Sequence, residues 1–119
     1  LTHPSVMMSS HGSVGEGSIL CAGNILTTNF TLGRHVILNL DCTVGHDAVI
    51  GDYATILPSV NISGFTTIGE GCFFGTGGGI INDTAIGPWA VIGAGAMVVK
   101  DLPGRCTAVG VPAKVIKQR

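Results

Sequence analysis

His46 and Asp47 stand side by side in the stretch "NLDCTVGHDAVIGDY", residues 39–53 of a 119-residue chain in which only 11% of residues are charged. An imidazole can take up a proton near neutral pH, and a carboxylate beside it can orient it. The plainer alternative is a solvated histidine on a corner. Side chains that neighbour each other on an extended strand point to opposite faces, so the two groups can meet only where the backbone turns or across a subunit boundary. Five of the six basic residues (Lys100, Arg105, Lys114, Lys117 and Arg119) fall in the last twenty positions, a cluster that suits a polyanionic ligand or forms a solvated tail. "GTGGG" at 75–79 has the glycines of a phosphate-cradling loop, but it lacks the lysine and the following helix that such a loop needs.

Internal repetition defines the elements that must hold these groups. From Val14 an aliphatic or aromatic residue recurs every six positions: Leu20, Leu26, Leu32 and so on without insertion to Ile92 and Val98, fifteen in one phase. Four places after each comes a mostly small residue, such as Cys42, Ala48 and Ala54, with only Phe30 and Leu102 bulky in that register. Going forward, the small and large registers are two apart (Ala48 to Ile50), the same-face spacing of a strand, so both face inward. Every eighteenth residue opens an aliphatic-glycine pair, as in Leu32-Gly33, Ile50-Gly51 and Ile68-Gly69. Three hexads per period predict a three-sided coil with very short strands and tight corners, where glycine tolerates positive φ and close backbone approach. Five such coils at the inter-strand spacing make a prism about 24 Å long. A period of six fits no helix, so the fold class is an all-β solenoid of parallel strands.

The composition sets the outer bounds. The chain is one domain in size, with nineteen glycines, six aromatic residues and a net charge of −1, so nothing points to nucleic acid or an anionic membrane surface. No apolar run is long enough to span a bilayer. Cys42 and Cys72 occupy the small inward register, and no two of the four cysteines share a position modulo eighteen. They cannot stack as neighbours, so reduced thiols and a cytoplasmic location are expected. The chain opens "LTHPSV" without an initiator methionine, as a piece of a longer protein would.

The unbroken aliphatic-glycine hexads resemble those of the left-handed β-helix hexapeptide-repeat acyltransferases. "HPSV", "GHDAVIGDY" and "GVPAKVI" resemble, more narrowly, the sialic acid O-acetyltransferase and bacillosamine-pathway sugar N-acetyltransferase group. The resemblance covers nearly the whole chain. It implies a left-handed parallel β-helix of about five to six coils over residues 1–103, with a C-terminal strand and basic tail at 104–119 in the same domain. A Rossmann-like N-terminal domain, usual in the family, is expected to be missing here.

The same resemblance implies acetyl transfer from acetyl-CoA to an amine or hydroxyl of a sugar or nucleotide-linked sugar. His46 would be the general base and Asp47 its orienting acid, with direct transfer from the thioester. Asn39 would lie beside the acceptor, as would Thr55, where the family often carries a second histidine. The Gly64 N–H would face the thioester. Thr76 and Ala94 would line the coenzyme, with Lys100 and Lys114 among the basic residues near its phosphates. No resident metal is implied. The chain is expected to form a homotrimer, with sites between subunits and with outward Phe65, Phe73 and Trp89 covered by neighbours. A γ-type carbonic anhydrase would need two histidines five apart, yet Gly51 stands at that spacing from His46, and His3, His11 and His35 occupy different corners. A non-catalytic scaffold is the remaining alternative; an ice-binding β-helix would display a regular threonine face, yet Thr27, Thr28, Thr66 and Thr67 keep no eighteen-residue ladder.

Overall fold

A computed structural model describes residues 1–119. Sixteen two-residue strands follow one another at six-residue intervals from Met7–Met8 to Met97–Val98, and two longer strands, Cys106–Val109 and Lys114–Gln118, close the chain. They form three parallel sheets around a common core. The first face stacks Met7–Met8, Ile25–Leu26, Thr43–Val44, Asn61–Ile62, Gly79–Ile80 and Met97–Val98. The second runs from Ser13–Val14 to Ala85–Ile86, and the third from Ile19–Leu20 to Val91–Ile92 and on into Cys106–Val109. Lys114–Gln118 then turns back antiparallel along Cys106–Val109. Each parallel pair is in strict eighteen-residue register (Thr43 with Asn61, Asn61 with Gly79) until the turn after Val98. From there Leu102 pairs with Ile86 and Thr107 with Val91, sixteen apart, so Leu102 stands over the large register and not in the small one.

Both inward registers lie in one core of 27 buried residues. Val14 departs from this pattern: it is 38% exposed, because it belongs to the end coil and has no coil beneath it. Phe30 fits the small register because Gly12 stands one coil below; a Cβ there would lie 2.1 Å from the phenyl ring. The polar residues turned inward are all paired. Ser18 Oγ donates to the Gly33 carbonyl and accepts the Val36 N–H, and Asn24 bridges the Leu38 carbonyl and the Cys42 N–H. Such pairing removes the penalty of burying them. The whole is 38 Å long, more than the 24 Å expected of five coils, because sheets of six and seven strands and the terminal segments extend the prism.

The glycines of the aliphatic-glycine pairs have one of the two reasons expected of them. A Cβ on Gly33, Gly51 or Gly69 would come within 2.7 Å of backbone or side-chain atoms in the next coil, yet none of the three has positive φ. The left-handed position falls two residues later and is often not glycine: Asp47, Tyr53, Phe65 and Trp89 take φ of 59, 63, 54 and 61°. These corners are therefore three-residue turns with close approach at the first residue and inverted backbone at the third.

All four cysteines are free. Burial, the largest influence on each, pushes the Cys42, Cys72 and Cys106 thiols up, so they stay protonated and inert. Cys21 is only half-buried and lines an apolar cavity at the N-terminal end with Leu1, His3, Ile19 and Leu40. Iodoacetamide on the native chain should label Cys21 alone, with the other three labelled only after unfolding; native labelling of Cys42 or Cys72, read by mass spectrometry, would contradict this packing.

The corner between the second and third faces carries an ion pair. Asp52 accepts the Arg34 N–H at 2.8 Å and faces its guanidinium at 3.4 Å. That backbone bond first, and then the Arg34 guanidinium and His35, hold its carboxyl below the usual carboxylate range. A carboxyl with a depressed folded pKa stabilises at pH above its unfolded value, and the stabilisation fades as pH falls through the folded one. Asp52→Asn is accordingly expected to lower Tm at pH 7, with the gap to the parent closing in acid. A gap that persists below the carboxyl range would assign the effect to something other than charge.

A candidate active site on the first edge

Three edges join the faces, and the residues singled out in the sequence divide among them. The first edge, between the first and second faces, stacks Thr28, His46, Gly64 and Asn82 one coil apart, and Lys100 lies in the shorter turn that continues this edge after Val98. Asn39, Thr76 and Ala94 lie on the opposite side of the first face, on the edge that joins it to the third. Lys114 opens the antiparallel strand opposite Val109, at that same end of the third face. Thr55 points outward from the middle of the third face, between Ile37 and Phe73. A single chain thus brings His46, Asp47 and Gly64 together and holds the other positions apart from them.

His46 and Asp47 meet because the chain turns between them. Gly45, whose Cβ would lie 2.5 Å from the Gly64 nitrogen, allows the close approach. Asp47 then takes the left-handed backbone, which aspartate tolerates better than most residues. The inversion brings its Oδ2 to 3.3 Å from His46 Nδ1, so the opposite-face rule of a strand does not apply at this corner. His46 and Asp47 side chains are 49% and 37% exposed. The imidazole is accessible, and a carboxylate at one ring nitrogen leaves the other to exchange a proton.

Gly64 lies against this ring. A Cβ there would sit 2.7 Å from both Cε1 and Nε2 of His46, so only glycine leaves the imidazole where it is. The Gly64 carbonyl accepts the Asp83 N–H, whereas its own N–H has no partner within the chain. An uncommitted backbone donor beside a proton acceptor is the pairing that acyl-transfer chemistry uses to hold a developing oxyanion.

Two contacts escaped the sequence reading. Phe65 meets His46 edge to face, with ring centroids 4.9 Å apart and planes at 84°. On the second edge His35 stacks on Tyr53 at 5.4 Å. Both pairs are eighteen residues apart, or nineteen where one ring leans across the turn, and the repeat period was the signal that could have revealed them. The expected outward aromatics are all exposed: Phe65 lies on the first edge, Phe73 on the third face and Trp89 on the second edge. Ile19, Ile37 and Phe73 form the apolar column of the third face, each 37–41% exposed.

No family model matches the chain. It is 33% identical to the GDP-perosamine N-acetyltransferase of Escherichia coli O157:H7, over 99% of this chain and 56% of that protein. Among solved structures, perosamine N-acetyltransferase from Caulobacter crescentus in complex with CoA and GDP-perosamine superposes with a TM-score of 0.96 at 34% identity, covering 98% of this chain and 56% of that one. The acetyltransferase domain of PglB from Neisseria gonorrhoeae in complex with acetyl coenzyme A gives 0.95 at 35% identity, over 98% of this chain and 57% of that one. The chain spans little more than half the length of these relatives. The match also identifies the three-sheet coil as a left-handed β-helix.

Gly64→Ala is expected to swing the His46 ring off its position, visible as a changed rotamer in a crystal structure. The half-exposed ring can move outward, so Tm should shift by no more than a few degrees. An unmoved ring would mean that the coil, and not the imidazole, yields.

Proposed function

The chain belongs to the hexapeptide-repeat acetyltransferase family, and from that premise we propose that it transfers acetyl from acetyl-CoA to the amino group of a nucleotide-linked sugar. The observation that carries this reading is the His46–Asp47 pair packed against Gly64, a proton acceptor beside a spare backbone donor. In the proposed step the sugar amine attacks the thioester carbonyl and His46 takes the proton it sheds. Asp47 holds the imidazole and supports its positive charge. The Gly64 N–H steadies the tetrahedral oxyanion, which collapses to the amide and expels the coenzyme thiolate, and the thiolate recovers the proton from His46. No serine or cysteine nucleophile is needed.

We place the coenzyme between two copies of the chain. Thr76, Ala94 and Lys114 stand on the edge away from His46, while Lys100 stands above it, so a homotrimer that sets one copy's third edge against the next copy's first would unite them. Asn39 and Thr55 would then line the acceptor. Thr55 offers a hydroxyl, which can accept or donate a hydrogen bond to a sugar but is no second base. The free thiols suit a reducing cytoplasm.

The test is acetyl transfer from acetyl-CoA to GDP-perosamine and a panel of other nucleotide amino sugars and sialic acids, read by mass spectrometry. Turnover is expected with an amino-sugar nucleotide, and His46→Ala should lower it by roughly 10²- to 10⁴-fold, the usual contribution of a positioned base. Tm should be unchanged, because His46 contributes no core packing. A variant that keeps most of its turnover would remove His46 from this role, and transfer to hydroxyls alone would refute the amine as acceptor.

A further inference from the structure

The left-handed position on the first edge is filled in successive coils by Asn29, Asp47, Phe65 and Asp83, with φ of 55, 59, 54 and 57°. Asparagine and aspartate tolerate this backbone through local hydrogen bonding, whereas a bulky side chain bears a steric penalty there. The second edge has Gly17, His35, Tyr53, Gly71 and Trp89 at its equivalent position in successive coils, and His35 and Tyr53 stack on each other. On the first edge Phe65 is alone, and it stands directly above the His46–Asp47 turn. It fills no core: Phe65 is 55% exposed. A half-exposed phenylalanine in strained backbone gains nothing obvious for folding, and such strain collects where structure serves function.

The ring's one aromatic partner is His46, met edge to face at 4.9 Å. The Phe65 N–H also donates to the His46 carbonyl at 2.9 Å. His46 is thereby restrained from three directions, by Asp47 Oδ2 at Nδ1, by the bare backbone of Gly64 and by the Phe65 ring. An imidazole 49% open to solvent on a corner would otherwise exchange rotamers, and a misplacement of about an ångström can cost a base much of its effect.

We propose that Phe65 is a positioning residue: its ring confines the His46 imidazole to the rotamer in which it meets Asp47, and the chain keeps it there at a cost in backbone strain. The proposal deepens the general-base reading of His46 and rests on it. Asparagine at 65 would suit the backbone as Asn29 does while removing the ring. The two roles of the position therefore separate, because loss of a merely structural residue lowers stability, whereas here stability and rate should move apart.

The experiment uses the whole chain with acetyl-CoA and GDP-perosamine. Phe65→Asn is expected to lower kcat by about 3- to 10-fold, the effect of one lost edge-to-face pair, with KM for acetyl-CoA unchanged and Tm equal or higher. Phe65→Tyr should restore most of the loss. In a His46→Ala background Phe65→Asn should cost nothing further. An unchanged kcat in Phe65→Asn, or the same loss with His46 absent, would overturn the proposal. A His46→Ala variant that keeps its turnover would instead overturn the base assignment. Should the parent not use GDP-perosamine, NMR decides: nuclear Overhauser contacts between the two rings and a single His46 χ1 rotamer are expected in the parent, with rotamer averaging in Phe65→Asn. A His46 ring equally ordered in both would refute the positioning role.

Discussion

Coil-to-coil hydrogen bonding in fixed register is the constraint on which the molecule depends. The Thr43 N–H bonds the Val60 carbonyl, the Asn61 N–H bonds that of Gly78, and the same step recurs from coil to coil on all three faces. Strands of two residues have almost no stability of their own, so each exists because the coil above and the coil below present matching groups. The register also sets the columns of side chains. Leucine and isoleucine stack at the second strand position, small residues stack where the corners converge, and glycine occupies the points where backbones nearly touch. One residue inserted within a strand would turn the following side chains to the opposite face, whereas a change of length within a turn, as in the shorter last coil, leaves the columns in place.

That constraint explains how much was legible in the sequence. A period of six in the aliphatic residues and of eighteen in the aliphatic-glycine pairs maps directly onto strand and coil, so the three-sided parallel architecture followed from counting. The reading stopped where period alone carries no information. Val14 keeps the phase but lies at the open end of the stack, and a repeat does not reveal where it stops being covered. The His46–Asp47 contact depends on an inverted φ at Asp47, a property of the turn and not of residue type. Phe65, Phe73 and Trp89 are outward as expected, but the repeat does not say that they divide between two edges and a face.

The candidate site shows how a repetitive scaffold produces an individual one. Thr28, His46, Gly64 and Asn82 occupy equivalent places on successive corners, each followed by a residue of positive φ. Only at His46 and Gly64 does the identity of consecutive residues create chemistry, since a side chain at 64 would close the space that the imidazole fills. The scaffold provides geometry at every coil, and two neighbouring positions in the column convert it into a proton acceptor beside a free amide.

A column of equivalent corners also behaves as a graduated scale. Lys100 stands three coils from His46, and the rise per coil is that of neighbouring strands, about 4.8 Å. The separation between the two changes only by whole coils, because each coil adds one strand spacing whatever the length of its turns, as the two-residue-shorter last coil shows. Reach along this edge is therefore quantised: a lineage that gained or lost eighteen residues would lengthen or shorten it by one graduation, and no intermediate length is available to selection.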